Sequence, residues 1–573
     1  MEVFLGIPAA DGTGIGTAFV IPDSVKRAIP QHHIKIDQIN KGWSRFEAAV
    51  QTVTLQLSEH LDTLSKTDPK DKIQREVFET YILMLGDPVF TKEVRDFFEQ
   101  ELFNIEYTVQ FKAEEYASRL RQAGNYYLSE RAQDITDVFG RVLDEMLDIH
   151  PFDINRVPDG SVIFATSLSS ADTIVLSKRK IAGLALSEGG VSSHVVILAK
   201  NYGIPTIVGL EDIIKKVKNG ETVIIDGKNA EILVSPDRGT IEEYKQKIRA
   251  EYQHKLELRK FLDKPAHTKD GVEFKLMANI GTPEEAELAK AEGADGIGLF
   301  RTEFLYMAQN GASLNAAARS FSEDTQFEAY KHVLEVMGDK PVTIRTLDAG
   351  GDKLINSVDI PLLEEKNPLM GMRAVRLSLQ CPNVLKTQLR ALYRASAYGN
   401  LRIMFPLITS VDQVHQLMEI VNQVKLELTN EHIPFNKDIP IGIMIETAAA
   451  AIVSDCLAKV SDFFSLGTND LTQYTLAVDR ENPRVAGLYN EFNLSVLRLI
   501  QLTVNNAENG NVPVSVCGEM AGRHDSVMVL GGMGIRTLSM SPKLISSTKE
   551  LLSRFTIKEL EAISAKHLAN LQI

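Results

Sequence analysis

The sequence predicts a multidomain α/β protein: a small β/α domain split by an inserted helical bundle, then a linker helix, then a (β/α)8 TIM barrel. Three observations carry that expectation. Apolar positions take a helical period between residues 36 and 148, flanked on both sides by short strand-like runs. A charged, helix-prone stretch, 240–261, is ended by Pro265. Beyond it, short apolar runs at 274–278, 296–300, 342–346, 401–406, 441–445, 463–466, 512–516 and 537–540 alternate with helical patterns, the rhythm of an α/β barrel.

Taken in order, residues 1–24 hold apolar runs broken by glycines. The cluster Gly12-Thr13-Gly14-Ile15-Gly16 has Thr17 where the third glycine of a dinucleotide-binding turn belongs, so it reads as strands and a tight turn. In the helical stretch Phe46, Ala49, Val50, Val53 and Leu57 share one face. Ile135, Val138, Phe139, Val142, Leu143 and Met146 share another. Asp68-Pro69 and Asp87-Pro88 start helices, because proline suits the first helical position. The expectation is a bundle of about four helices or helical hairpins. Strand signals return at 161–166, 181–186, 206–208, 222–226 and 231–234.

Composition narrows the function classes. The 573 residues suffice for several domains with large cores, and 44% hydrophobic with 24% charged content is ordinary for globular protein. A net charge of −14 argues against a general nucleic-acid or membrane-surface binder, so an anionic substrate requires a local cluster of arginines. The three cysteines, Cys381, Cys456 and Cys517, have no metal-ligand spacing, which fits a reducing cytoplasm. The N-terminus reads as lacking a signal peptide, and no apolar run reaches the length of a membrane helix.

Two places carry chemistry. The first is Gly189-Gly190-Val191-Ser192-Ser193-His194, ahead of a helical run. Free N–H groups at a helix start favour an anion and a neutral imidazole. A phosphoryl acceptor and an incidental histidine on a capped helix both fit that pattern. The second is the set of predicted strand ends. Arg301 follows the second strand. Arg345 lies in the third, which runs out through Asp348 and Lys353. Arg373 follows 367–372, Glu446 ends the fifth strand, Asn469 and Asp470 follow the sixth, with Arg480 beyond, and Cys517 ends the seventh. Four arginines at one mouth suit a small molecule bearing carboxylate and phosphate, since the guanidinium fork binds either group. Glu446 and Asp470 suit Mg²⁺, or else pair with the arginines. Cys517 suits a proton donor, or else fills the core.

These residues also carry a resemblance. Gly298-Leu299-Phe300-Arg301-Thr302-Glu303-Phe304-Leu305-Tyr306-Met307 and Ser465-Leu466-Gly467-Thr468-Asn469-Asp470-Leu471-Thr472-Gln473-Tyr474 resemble barrel motifs of the enzyme I family of the phosphoenolpyruvate:sugar phosphotransferase system. Residues 189–194, continuing to 203–209, resemble its phosphohistidine signature, and 78–88 with 130–135 its carrier-binding insert. The resemblance implies His194 as phosphoryl acceptor, Thr173 as the residue that orients it, and Arg301, Arg345, Arg373, Asn469 and Arg480 as phosphoenolpyruvate contacts. It further implies Asp348 and Lys353 as substrate or supporting contacts, Glu446 and Asp470 as Mg²⁺ ligands, and Cys517 as proton donor to the enolate. The implied domains are a swivelling phosphohistidine domain at 1–24 and 149–236, an insert at 25–148 that binds an HPr-like phosphocarrier protein, a linker helix at 237–264, and a phosphoenolpyruvate-binding, dimerising barrel at 265–573. The implied protein is a cytoplasmic homodimer, without nucleic-acid binding or membrane insertion. It releases pyruvate and passes the phosphoryl group to the carrier in the first step of sugar uptake.

The sequence departs from that family's usual pattern at Val191 and Ser192, which stand for Arg and Thr, at Lys200 for Arg, at Met372 for an aromatic, and at Arg523 where Asp is usual. Two alternative readings remain: a pyruvate phosphate dikinase or phosphoenolpyruvate synthase-like chain lacking its ATP-grasp domain, and a non-catalytic regulatory relative.

Overall fold

The computed structural model describes residues 1–21, 29–62, 64, 69–122, 126–149, 154–168, 170–177, 179–188, 194–210, 213–303, 305, 322–349, 367–480, 482 and 484–569. The chain forms two compact units, Met1–Gln253 and His254–Ile573.

Among the described residues of the first unit, eight strands form one mixed sheet. They are β1 (Glu2–Leu5), β2 (Ile7–Ala10), β3 (Thr13–Val20), β4 (Ser161–Ala165), β5 (Gly183–Leu186), β6 (Thr206–Val208), β7 (Thr222–Asp226) and β8 (Glu231–Val234), in the order β1-β8-β7-β3-β4-β5-β6-β2. β3 to β6 run parallel and the flanking pairs antiparallel. β4 and β5 are buried at every position, which is why both read as unbroken apolar runs rather than alternating ones. The amino-terminal glycines serve close approach. A Cβ at Gly14 would lie 1.9 Å from the Ala182 carbonyl oxygen, and one at Gly16 would lie 2.2 Å from that of Gly160.

Between the adjacent parallel strands β3 and β4 the chain inserts a bundle. Among the described residues it has five helices, α1 (Ile39–Asp62), α2 (Pro69–Leu85), α3 (Pro88–Glu101), α4 (Ile105–Gln122) and α5 (Tyr126–Met146), rather than about four. Asp87 caps α3 through Val89 N, with Pro88 at the first position, as its sequence implies. The additional break, between α3 and α4, falls at Leu102, which takes a left-handed φ of 56° with no glycine or proline to announce it. The bundle core gathers Phe46, Val53, Phe90, Phe98, Val138 and Phe139. A helix over Arg238–Leu258 and a 3-10 turn at Arg259–Phe261 occupy the stretch expected as a linker helix; Asp237 caps the helix start through Thr240 N.

The second unit is a closed barrel of eight parallel strands. These are β10 (Glu273–Ile280), β11 (Ile297–Phe300), β12 (Val342–Arg345), β13 (Leu401–Phe405), β14 (Ile441–Ile445), β15 (Phe464–Leu466), β16 (Val514–Val516) and β17 (Thr537–Met540). Pairing of β10 with both β17 and β11 closes the ring, and a short β9 (Ala266–His267) adds antiparallel to β10. Leu299, Met404, Met444, Phe463 and Cys517 pack inside the ring, and the larger apolar shell lies between strands and outer helices. The interior is filled, so chemistry is confined to the ends of the strands. No helix among the described residues is long and apolar enough to cross a membrane.

Candidate active site

At the carboxyl ends of the barrel strands, β12 delivers Arg345 and, three residues on, Asp348. Arg345 Nη1 meets Asp348 Oδ2 at 2.7 Å, and Arg345 Nη2 meets Glu303 Oε1 at 3.1 Å. The other oxygen of Asp348 accepts from Arg373 Nη2 at 2.8 Å. Arg373 Nη2 also lies 3.8 Å from Asp470 Oδ2, and Asp470 Oδ1 lies 3.7 Å from Arg480 Nη2. Three of the four arginines expected at the mouth are therefore threaded through two aspartates. Arg301 is exposed and lines a cavity with Asn279, Gly518, Glu519 and Met540. Lys353 lies outside the described residues.

Glu446, at the end of β14, is 2% exposed and its Oε1 accepts from Leu407 N at 2.6 Å. Asp348, Glu446 and Asp470 offer one carboxylate oxygen each within 4.8 Å of one another. Burial, then repulsion from Asp348 and Asp470, pushes Glu446 up to about 8 against the pull of Arg345. Such a crowd of oxygen donors fits a hard divalent cation, which would relieve the repulsion. Burial acts to lower the Arg345 guanidinium, but Asp348, Glu303 and Glu446 outweigh it and hold the charge firmly. Among the described residues, Arg345 Nε is buried without an acceptor, a donor left over for an anion.

The loops after β15 and β16 are stitched together. Glu519 N donates to Asn469 Oδ1 at 2.8 Å, and Asn469 Nδ2 donates back to Glu519 Oε1 at 3.2 Å. A Cβ at Gly518 would lie 2.0 Å from Thr468 Oγ1, so only glycine permits this approach. Asn279 Nδ2 holds the Cys517 carbonyl at 2.9 Å. The Cys517 thiol is 2% exposed. Burial raises its pKa despite the Ser465 hydroxyl and Arg345, which keeps the proton on sulfur. Arg523 pairs with the buried Glu491 at 2.7 Å, and Tyr489 donates its hydroxyl to the Asn469 carbonyl at 3.3 Å. A cation at 523 therefore has a local acid to neutralise.

In the first unit, His194 opens a helix over His194–Tyr202. Its side chain and residues 189–193 lie outside what is described. Val195, Val196 and Ala199 of that helix are buried against the sheet, while Leu198 joins the bundle core. Thr173 is fully buried on the helix Ser170–Ser177, which packs against the His194 helix.

Four contributors had no role in the sequence reading: Glu303, which bridges Arg345 and the Asp348 N–H (2.9 Å); Tyr474, which accepts from Arg373 at 3.2 Å; Glu519; and Asn279. Glu303 had a usable signal, lying two residues past Arg301 at a strand end.

Residues 255–557 match the family model described as PEP-utilising enzyme, PEP-binding domain. Residues 5–131 match that for the N-terminal domain of PEP-utilising enzymes, and 157–230 that for their mobile domain. The chain is 38% identical to a phosphoenolpyruvate-protein phosphotransferase of Bacillus sp. (strain S) over 97% of its length and 93% of the relative's. It is 38% identical to one of Geobacillus stearothermophilus over the same shares, and 35% identical to one of Bacillus subtilis (strain 168) over 99% of this chain and 97% of that one.

Proposed function

The chain belongs to the phosphoenolpyruvate-protein phosphotransferase family, and on that premise we propose that His194 takes the phosphoryl group of phosphoenolpyruvate held in the barrel mouth and passes it to a histidine of an HPr-like carrier protein. The observation that carries this reading is the interlocked set Arg345, Asp348, Arg373, Glu446, Asp470 and Arg480 at one end of a closed barrel. Asp348 holds Arg345 and Arg373 in place at 2.7 and 2.8 Å, while Arg480 meets Asp470 only at 3.7 Å and exchanges that partner for a substrate's carboxylate or phosphate at little reorganisation cost.

Glu446 and Asp470, with Asp348 as a third donor, would hold Mg²⁺, and the ion would supply charge neutralisation to the phosphoryl oxygens. Arg301, Arg345, Arg373 and Arg480 clamp the anion, and Asn469 fixes its orientation. His194 attacks phosphorus in line with a neutral ring nitrogen. The N–P bond forms as the bond from phosphorus to the enol oxygen breaks, and the electron pair stays on the enolate. The Cys517 thiol gives its proton to the enolate carbon, which yields pyruvate; solvent later reprotonates the thiolate. Thr173 orients the His194 ring.

Residues 1–24 and 149–236 carry the phosphohistidine, 25–148 dock the carrier, 237–264 link the halves, and 265–573 bind phosphoenolpyruvate and form a homodimer. The chain works in the cytoplasm, in sugar uptake. One histidine that receives at one site and donates at another requires domain motion. Incubation of the whole chain with phosphorus-labelled phosphoenolpyruvate and Mg²⁺ tests this reading. Acid-labile label on the wild-type chain, absent from His194→Ala, is expected. A wild-type chain that stays unlabelled overturns it.

A further inference from the structure

Behind Arg345 lies a buried polar chain that the reaction does not use. Gln388 sits on the helix Pro382–Ala395 and is 1% exposed. Its Oε1 accepts from Leu347 N at 3.0 Å. Its Nε2 donates to Thr302 Oγ1 at 3.2 Å and to Tyr330 OH at 3.1 Å. Each hydroxyl then spends its own proton further on. Thr302 Oγ1 donates to the Arg345 carbonyl at 3.0 Å, and Tyr330 OH to Gln326 Oε1 at 3.1 Å. Thr302 and Tyr330 are fully buried, and Gln326 is 2% exposed.

Every proton in this chain has one direction. With the amide turned over, NH₂ would face the Leu347 N–H, donor against donor. Glutamate would place a charge among buried groups and demand the protons now given to Arg345 and Gln326. The amide thus grips the end of β12 at two points, the carbonyl of residue 345 through Thr302 and the N–H of residue 347 directly. Its other ends rest on the β11 terminus and on the helix Glu323–Met337.

We propose that Gln388 is a positioning residue: through Thr302 and Leu347 it sets the register of the β12 terminus, and with it the aim of the Arg345 guanidinium and the Asp348 carboxylate. The inference rests on the proposed role of Arg345 only for its kinetic consequence. Its structural consequence stands apart from any substrate.

Three proteins decide it, each measured where circular dichroism shows it fully folded: wild type, Gln388→Met, and Leu385→Ala. The last removes buried apolar volume from the same helix without touching the polar chain. The first readout is the Arg345 Nε–H resonance, assigned by its loss in Arg345→Lys. It shifts or broadens in Gln388→Met and stays in place in Leu385→Ala. An unmoved resonance in Gln388→Met overturns the proposal even if the chain proves inactive. The second readout is phosphoenolpyruvate-dependent labelling. KM rises about tenfold in Gln388→Met and less than twofold in Leu385→Ala. Equal KM values in the two variants overturn the proposal, while a wild type without label refutes the function and leaves the resonance to decide the positioning.

Discussion

The two ends of the barrel handle their cations in opposite ways. At the amino ends of the strands, cations terminate on backbone carbonyls. Lys549 Nζ, on a residue 3% exposed, donates to Leu262 O at 2.7 Å and Gly293 O at 3.0 Å. Lys340 Nζ donates to Ala294 O at 2.5 Å, and Arg536 Nη1 to Gly531 O at 2.6 Å. Gly293 permits this, since a Cβ there would lie 2.1 Å from Leu262 O. At the carboxyl ends, cations terminate on the carboxylates of Asp348, Glu303 and Asp470. Losing the Lys549 donor would leave the Leu262 and Gly293 carbonyls orphaned. A carboxylate can release an arginine to an incoming anion and turn to a cation instead. One end is therefore built to stay, the other to exchange.

The largest effect expected from this contrast lies at the exchanging end. Cys517→Ala slows pyruvate formation about 10²–10⁴-fold, the usual worth of a positioned acid, while phosphoenolpyruvate binding changes less than about threefold. Equal losses in rate and binding would show that Cys517 is not the donor. At the staying end the pattern reverses. Lys549→Met orphans two carbonyls, costs about 2 kcal/mol, and lowers the barrel melting temperature by about 3 °C, with kcat/KM within twofold. A large loss of kcat/KM with an unchanged melting temperature would erase the distinction between the ends.

The two ends also differed in how far the sequence revealed them. The eight barrel strands were legible because each is a short apolar run fenced by helical patterns, and residues at their carboxyl ends inherit a common face. Arg345, Glu446, Asp470 and Cys517 could be placed by that geometry alone. Gln388 could not: it reads as one polar residue on an amphipathic helix, and only the folded chain brings it to the Arg345 carbonyl, 43 positions earlier. Leu102 ends α3 in a left-handed conformation that no local residue signals. Arg523 looked like a bare departure until the fold set the buried Glu491 beside it.

The smallest effect is a pH dependence. Folded, metal-free Glu446 titrates at about 8, driven first by burial and then by Asp348 and Asp470, against 4.5 as its ordinary value. Between those values the folded chain holds a proton that the unfolded chain has released. Its stabilising contribution is complete below 4.5 and is lost as pH rises towards 8. The gain in melting temperature on adding Mg²⁺ should therefore be larger at pH 8 than at pH 5, and Glu446→Gln should flatten the difference. A gain that does not vary with pH in the wild type would contradict the crowded-carboxylate account.

The central claim is that the barrel's arginine cluster serves phosphoenolpyruvate while His194 in the other unit does the receiving. Arg345→Lys keeps the charge but loses the fork, and labelling it by two routes separates the parts. From labelled phosphoenolpyruvate and Mg²⁺, kcat/KM should fall about 10²–10³-fold. From an HPr-like carrier already labelled on its histidine, label should reach His194 at the wild-type rate. If both routes slow together, or neither does, the cluster is not the phosphoenolpyruvate site and the account fails.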